Sequence, residues 1–267
     1  MNAHYPDSTF LIDIAHDAGE IITSHFNLNR DWIVKEDSTP LTKADTLINA
    51  MVLARFERDY PHINVIAEEG NREVAGAEYT ALVDPIDGTT GYALGIPVSA
   101  FCATILKGDK PIAAVIFDPF QARMWLVSEG DGTTLNGKRV SVSEHRELKN
   151  SHVMLVKWYG CGFNLGLVEL QLMEQGSKVQ NITSLAYFGG LIASGTVEAS
   201  IFPGRGALET AAMQAIIEGA GGLVTDLHGD RILYQSGGYK LGKGALASNG
   251  VIHDKLLQFT HPPLVLE

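Results

Sequence analysis

Basic residues are scarce in this chain of 267 residues, which has 20 Lys and Arg against 31 Asp and Glu and a formal net charge of −11. Proteins that bind nucleic acid non-specifically need a basic surface for the phosphate backbone, so this charge balance argues against that class. An acidic protein can still bind an anionic substrate where metal ions reverse the local field. The composition therefore favours a small-molecule ligand over a nucleic-acid partner.

Cysteine and long apolar runs are also scarce. Cys102 and Cys161 share no metal-ligand spacing, so two buried free thiols are favoured, with one disulfide as the alternative. No apolar run approaches the length of a membrane span. The N-terminus has no basic stretch followed by an apolar one, as a signal peptide would. We therefore expect a cytoplasmic protein with no membrane partner.

Hydrophobic residues make up 45% of the chain, which is enough for one large domain or two packed subdomains. Apolar residues recur with helical spacing in two early segments, and strand-like runs joined by turns follow them, which predicts two helices on an antiparallel sheet. From about residue 151, strand-like and helical runs alternate, as in an α/β unit. We expect an N-terminal half, 1–145, that carries most metal ligands, and a C-terminal half, 146–267, that completes the active site.

The most informative stretch is Asp84-Pro85-Ile86-Asp87-Gly88-Thr89-Thr90, which follows the apolar run Ala81-Leu82-Val83. Its two carboxylates and the Ile86 carbonyl are the oxygen ligands that Mg²⁺ prefers. Gly88 frees the backbone, and the threonines can begin a helix whose N–H groups would face an anion. One loop thus offers both a metal site and a phosphate site. The alternative is an ordinary strand-to-helix turn, since Asp, Pro, Gly and Thr are common turn residues.

Further acidic residues, Asp45, Glu68 and Glu209, fall where predicted elements begin or end. If they meet Asp84 and Asp87 in space, their like charges need cations to neutralise them, and a divalent metal cluster is the simplest solution. If they do not meet, each is a solvated carboxylate, which is the usual fate of Asp and Glu.

Five ordered blocks of sequence resemble the inositol monophosphatase family, which comprises Mg²⁺-dependent, lithium-inhibited phosphomonoesterases. The 84–90 stretch resembles the family signature, and Glu68-Glu69 resembles its acidic pair. Thr42-Lys43-Ala44-Asp45 resembles its Thr-x-x-Asp element, with Lys35-x-Asp37 ahead of it. The other two blocks are the turn at 130–137 and the C-terminal metal motif at 208–212 with the glycine-rich segment at 218–222.

The resemblance implies a role for each matching residue. Glu68, Asp84 and the Ile86 carbonyl would bind a first metal, and Asp84, Asp87 and Glu209 a second. Glu68 would also take part in a third site, so it joins Asp45 and Thr89 in the catalytic set.

Thr89, paired with Asp45, would orient and deprotonate the attacking water, while backbone N–H groups of Gly88 and Thr89 would hold the phosphate. For Asp45 and Thr89 the alternative role is helix capping. The predicted substrate-binding residues are Gly88, Thr89, Thr90, Ser184, Phe202 and Arg205.

The C-terminal motif departs from the family pattern. Leu208-Glu209-Thr210-Ala211 stands where Trp-Asp-x-Ala is usual, so Glu209 adds a methylene to a ligand of Mg²⁺, which demands near-ideal octahedral geometry. Phe202 stands where inositol-cleaving members carry a Glu that binds sugar hydroxyls, and a phenyl ring cannot accept those bonds. Arg205 is either a site for a second anionic group or a surface charge.

The resemblance implies a layered α/β/α/β/α sandwich, mixed α+β and α/β, and commonly a homodimer. The expected activity is that of a phosphoric monoester hydrolase with two or three Mg²⁺ ions per site. It would act on a small phosphorylated metabolite, inositol-1-phosphate-like by family default. The alternatives are another sugar, nucleotide or amino-alcohol phosphate, or a degenerate family member that acts as an interaction protein.

Overall fold

The fold consists of five layers, α/β/α/β/α, which confirms the predicted fold class. It is taken from a computed structural model that describes residues 5–27, 32–35, 39–157, 163–204, 206–234, 241 and 243–260. Three clusters of buried apolar side chains fill the spaces between the layers. Among the described helices, none combines the length and apolarity that crossing a membrane requires.

The first layer contains helices α1 (Ser8–His25) and α2 (Lys43–Asp59), in agreement with both predicted helices. Asp7 caps α1 by accepting a hydrogen bond from the Phe10 N–H. The small hairpin of β1 (Trp32–Val34) and β2 (Pro40–Thr42) leads directly into α2.

The second layer is an eight-stranded sheet. Its strands are β3 (Asn64–Ala67), β4 (Gly70–Arg72), β5 (Tyr79–Asp87), β6 (Ala100–Lys107), β7 (Lys110–Asp118), β8 (Arg123–Val127), β9 (Thr134–Leu135) and β10 (Lys138–Arg139), in the order β10-β9-β8-β7-β6-β5-β3-β4. The prediction of an antiparallel sheet is wrong at one pair, because β3 and β5 are parallel. The hairpin of β3 and β4 places β4 at the edge of the sheet. The next strand, β5, pairs with the opposite side of β3.

Alternate residues of the central strands pack on opposite faces of this sheet, as the period of a strand requires. Val83 of β5 packs in the cluster formed with α1 and α2, whereas Leu82 packs in the cluster formed with the middle helices. That middle layer contains α5 (Leu185–Ala193) and α6 (Ala207–Gly219), and the short α3 (Thr89–Ala93) directly follows β5.

The fourth layer is a five-stranded sheet of β11 (His152–Leu155), β12 (Lys178–Gln180), β13 (Ala199–Phe202), β14 (Leu223–Thr225) and β15 (Ala245–Ser248). Its order is β12-β11-β13-β15-β14, with β11 parallel to both neighbours and β15 antiparallel to both of its own. Helices α4 (Leu165–Glu174) and α7 (His253–Leu257) cover its outer face. The sequence interpretation missed β15 and α7. Cys102 is a buried free thiol, and Cys161 lies outside the described residues.

Helix α5 lies so close to the large sheet that Gly190 has no room for a side chain. A Cβ atom on Gly190 would lie 2.4 Å from Cδ2 of the buried Trp125 indole. Gly166 in α4 is a natural control, because the nearest atom to its Cβ position, Asn164 Oδ1, is 3.7 Å away.

We expect Gly190→Ala to lower the free energy of unfolding by about 1–3 kcal/mol, because the core is overpacked. Gly166→Ala should raise it by up to about 1 kcal/mol through helix propensity. Urea denaturation of both variants measures the difference, and equal stabilities would contradict the close packing of α5 on Trp125.

Candidate active site

Asp84 and Asp87 lie at the end of β5, where its pairing with β6 is irregular. Asp84 pairs with Cys102 and Asp87 with Ala100, so three steps along β5 match two along β6. Residues three apart in a regular strand point to opposite faces, and an inserted residue restores a common direction. Pro85 fits this irregularity because it has no N–H to donate to the ladder. The bulge brings the two carboxylates together.

Glu209 reaches the same place from the first turn of α6. Oxygens of Asp84, Asp87 and Glu209 lie within 4.8 Å of one another. Helix α6 is capped by Gly206 with φ of 75°, and a Cβ there would lie only 2.1 Å from Glu209 Oε1. Glu209 therefore folds back over the start of its own helix, and this bend accommodates the extra methylene that distinguishes it from Asp.

This carboxylate cluster is electrostatically unfavourable without a cation. Burial raises the pKa of Asp87 to about 6 and that of Glu209 to about 8, with the Asp87 charge adding to the latter shift. Burial also raises the pKa of Asp84 well above its ordinary value, and the neighbouring carboxylates raise it further. Three acidic oxygen donors with such mutual repulsion fit a bound divalent metal ion, which would neutralise them.

The N-terminus of α5 holds Asp87 in place. Ser184 Oγ donates to Asp87 Oδ2 at 2.5 Å, and the Ala186 N–H donates to the same oxygen at 2.6 Å. Ser184 is also the N-cap of α5, so Asp87 lies where the helix dipole favours negative charge. Ser184 is fully buried, and its observed hydroxyl bond orients a carboxylate of the cluster.

Asp45 has one oxygen engaged and one oxygen without a partner. Its Oδ2 accepts hydrogen bonds from the Thr42 N–H at 2.8 Å and the Thr42 hydroxyl at 2.6 Å, in a capping box that begins α2. Among the described residues, none donates to its buried Oδ1. Burial raises the pKa of Asp45 to about 6. The Asp45 side chain therefore takes part in the cap of α2 and still has one oxygen that can accept a hydrogen bond.

The turn after Asp87 requires glycine. Gly88 has φ of 87°, and a Cβ there would lie 3.0 Å from the Ser184 Cβ and 3.1 Å from the Val98 carbonyl oxygen. The Thr89 hydroxyl donates to the Ile86 carbonyl at 2.7 Å. Thr90 is exposed on the first turn of α3.

Glu68 stays outside the three-carboxylate cluster. It is exposed at the tip of the β3–β4 hairpin, where Lys35 Nζ lies 2.6 Å from its Oε1 and also contacts Glu69. Its charge still contributes to the raised pKa of Asp84. The structure thus brings together three of the four predicted metal-binding carboxylates and gives the fourth a lysine partner that the sequence interpretation did not assign.

Two of the predicted substrate-binding residues stand apart. Phe202 has no exposed surface and packs in the core between the middle helices and the second sheet, so its ring presents nothing to a substrate, and we correct its assignment to core packing. Arg205 lies outside the described residues.

The hydrogen bonds from Ser184 and Ala186 to Asp87 join residues 97 and 99 positions apart. A helix-cap signal could have identified Ser184 but not its carboxylate partner.

Comparison with known proteins identifies the family of this chain. The profile described as "Inositol monophosphatase family" matches residues 6–261. The chain is 29% identical over 231 residues to "Bifunctional phosphatase IMPL2, chloroplastic" of Arabidopsis thaliana; the match covers 84% of this chain but 65% of the plant protein. It is 29% identical over 263 residues to "Histidinol-phosphatase" of Mycobacterium tuberculosis, covering 95% and 97% of the two chains.

A solved structure with a similar fold is the extragenic suppressor protein suhB from Bartonella henselae. It superposes with a TM-score of 0.86 at 23% identity, over 95% of this chain and 98% of the other. The family match over almost the whole chain, the layered fold and the carboxylate cluster lead to one conclusion. The chain belongs to the inositol monophosphatase family, whose phosphatases hydrolyse phosphate monoesters.

Proposed function

We propose that this protein hydrolyses a small phosphate monoester with Mg²⁺ as its cofactor. The observation that carries the proposal is the convergence of Asp84, Asp87 and Glu209 within 4.8 Å. All three offer oxygen, the donor that hard cations such as Mg²⁺ prefer. The Ile86 carbonyl and Glu68 would complete the set, which holds two or three ions. Bound Mg²⁺ would neutralise the phosphate charge and lower the pKa of water.

Asp45 and Thr89 would prepare the nucleophile. Asp45 Oδ1 has no hydrogen-bond donor among the described residues, so it is free to accept a proton from the attacking water. The Thr89 hydroxyl hydrogen is directed to the Ile86 carbonyl, which leaves its oxygen able to accept a hydrogen bond from that water. The two side chains would thus fix the water before attack.

Backbone N–H groups of Gly88 and Thr89 would hold the phosphate oxygens, with Thr90 at the exposed side of the turn. Helix α3 has only five residues, so individual N–H groups rather than a long helix dipole would contribute the binding. Gly88 is required for this approach, because its left-handed backbone lies directly against Ser184.

Position 202 bears on the substrate only by what it lacks, since Phe202 is fully buried and offers no polar group. No carboxylate is available at that position to accept hydrogen bonds from sugar hydroxyls, and an unpaired polyol binds poorly. Inositol phosphate is the family default. We propose an amino-alcohol phosphate as the alternative, because the match to the histidinol-phosphatase of Mycobacterium tuberculosis covers nearly the full length of both chains. We also propose a cytoplasmic, lithium-sensitive homodimer.

A phosphatase assay with a panel of substrates tests this function. The panel contains inositol-1-phosphate, an amino-alcohol phosphate, a sugar phosphate and a nucleotide, each measured with Mg²⁺ and with EDTA. We expect phosphate release from at least one substrate with Mg²⁺ and none with EDTA. A folded protein that releases phosphate from no member of the panel would instead be an interaction protein, and the proposal would be wrong.

Replacing Asp87 by Asn separates catalysis from folding. We expect activity to fall by more than about a hundredfold, since even outer partners of metal ligands contribute 10–100-fold. Stability in EDTA should be retained, because Asn keeps an oxygen for Ser184 and Ala186 and removes one of three like charges. Kinetic assays and thermal melts measure both effects. Asp13→Asn on the exposed side of α1 is the control, and wild-type turnover in Asp87→Asn would refute its role.

Gly206→Ala tests whether the bent Glu209 side chain is needed for metal binding. Gly206 and Gly76 both have left-handed backbones, but the Cβ position of Gly76 has no atom within 4 Å. Both alanine variants should lose about 1–3 kcal/mol of stability from backbone strain. Only Gly206→Ala should need more Mg²⁺ for half-maximal activity, because its methyl group displaces the carboxylate. Identical metal titrations for the two variants would exclude Glu209 as a ligand in this conformation.

A further inference from the structure

Asn49 places a second unpartnered oxygen beside Asp45. It lies one helical turn further along α2, and the two residues are 6% and 1% exposed. Within the described part of the chain, neither Asp45 Oδ1 nor Asn49 Oδ1 has a hydrogen-bond donor, although both atoms are buried. An oxygen buried without a donor costs about 1–3 kcal/mol, so two on one helix face call for a common explanation.

Asn49 lies where α2 packs against the hairpin that carries Glu68. Residues four apart on a helix share one face, with Cβ atoms about 5–6 Å apart. The β3–β4 hairpin covers this face so closely that a Cβ on Gly70 would lie 3.2 Å from Asn49 Nδ2. The Asn49 side chain therefore lies between α2, which supplies Asp45, and the hairpin that supplies Glu68.

We propose that Asp45 Oδ1 and Asn49 Oδ1 together hold one buried water molecule, which donates one hydrogen to each oxygen. A water that donates to both acceptors at about 2.7–2.8 Å requires oxygens about 4–5 Å apart, a separation that the side chains of an i, i+4 pair can reach. A carboxylate oxygen has a second lone pair, so Asp45 Oδ1 can still accept the proton of the attacking water. Asn49 is thereby a positioning residue that acts through Asp45.

The bridge would fix the only oxygen of Asp45 that the described protein leaves free. Thr42 already holds Oδ2 through two hydrogen bonds. With the water in place, both oxygens are held and the carboxylate plane cannot rotate. Without it, Oδ1 points correctly for a smaller fraction of the time, which lowers the rate of the chemical step but leaves substrate binding unaffected. The inference rests on the proposed role of Asp45.

The kinetic test compares Asn49→Leu, which has a similar shape but no oxygen, with Asn49→Gln, which keeps an amide oxygen and adds no charge beside Asp45. We expect Asn49→Leu to lower kcat about tenfold, as for other outer positioning contacts, without changing KM or the Mg²⁺ requirement. Asn49→Gln should recover part of that loss. Thr104→Val is the control, because Thr104 also has a buried unpartnered oxygen but lies on β6. Wild-type kcat in Asn49→Leu, or an equal loss in Thr104→Val, would overturn the proposal.

A crystal structure tests the water independently of any activity. At about 1.5 Å resolution, the wild-type protein should show ordered density at about 2.6–3.2 Å from both oxygens, and Asn49→Leu should lack it. Direct hydrogen bonds from protein groups to Asn49 Oδ1, with no water between the pair, would refute the bridge. Absence of phosphatase activity in the wild type would remove the catalytic consequence alone, since the crystallographic result would still decide on the water.

Discussion

Mutual repulsion among closely spaced carboxylates is the constraint on which the rest of this structure depends. Asp84, Asp87 and Glu209 lie within 4.8 Å of one another, and burial makes their ionised forms still less favourable. A chain would not gather such groups for stability, since a charge buried without a partner is costly. The bulge in β5 and the bend of Glu209 over the start of α6 bring these groups together, and the donors at the start of α5 offset part of the cost.

The groups of the site come from three layers of the fold. The large sheet supplies the aspartates, α2 supplies Asp45, and the middle helices supply Glu209 and the donors to Asp87. Lys35 adds a positive charge at Glu68 from the small hairpin before α2. Close packing keeps these parts in register, and Gly190 against Trp125 shows how little space separates the helices from the sheet.

Local sequence signals predicted the elements better than the contacts between them. The helical spacing of apolar residues predicted α1 and α2, because that signal acts within a few residues. The parallel pairing of β3 with β5 was missed because it depends on the path of the chain after β4, which local sequence signals do not specify. Phe202 was assigned to the substrate pocket because the family pattern has a polar residue there, whereas its apolar ring is in the core. The Lys35–Glu68 contact joins residues 33 apart, and no local rule specifies such a pair.

The hydrogen bonds from Ser184 and Ala186 to Asp87 also have a consequence for folding. They span 97 and 99 residues, and Glu209 comes later still. Loops of this length close slowly, because chain entropy must be lost before such contacts form. A nascent chain that ends before residue 184 therefore carries Asp84 and Asp87 without the groups that hold them, and its affinity for metal should be weak. High-affinity capture of the ion would then occur only after both sheets have docked, so metal binding would stabilise the complete fold and no earlier intermediate.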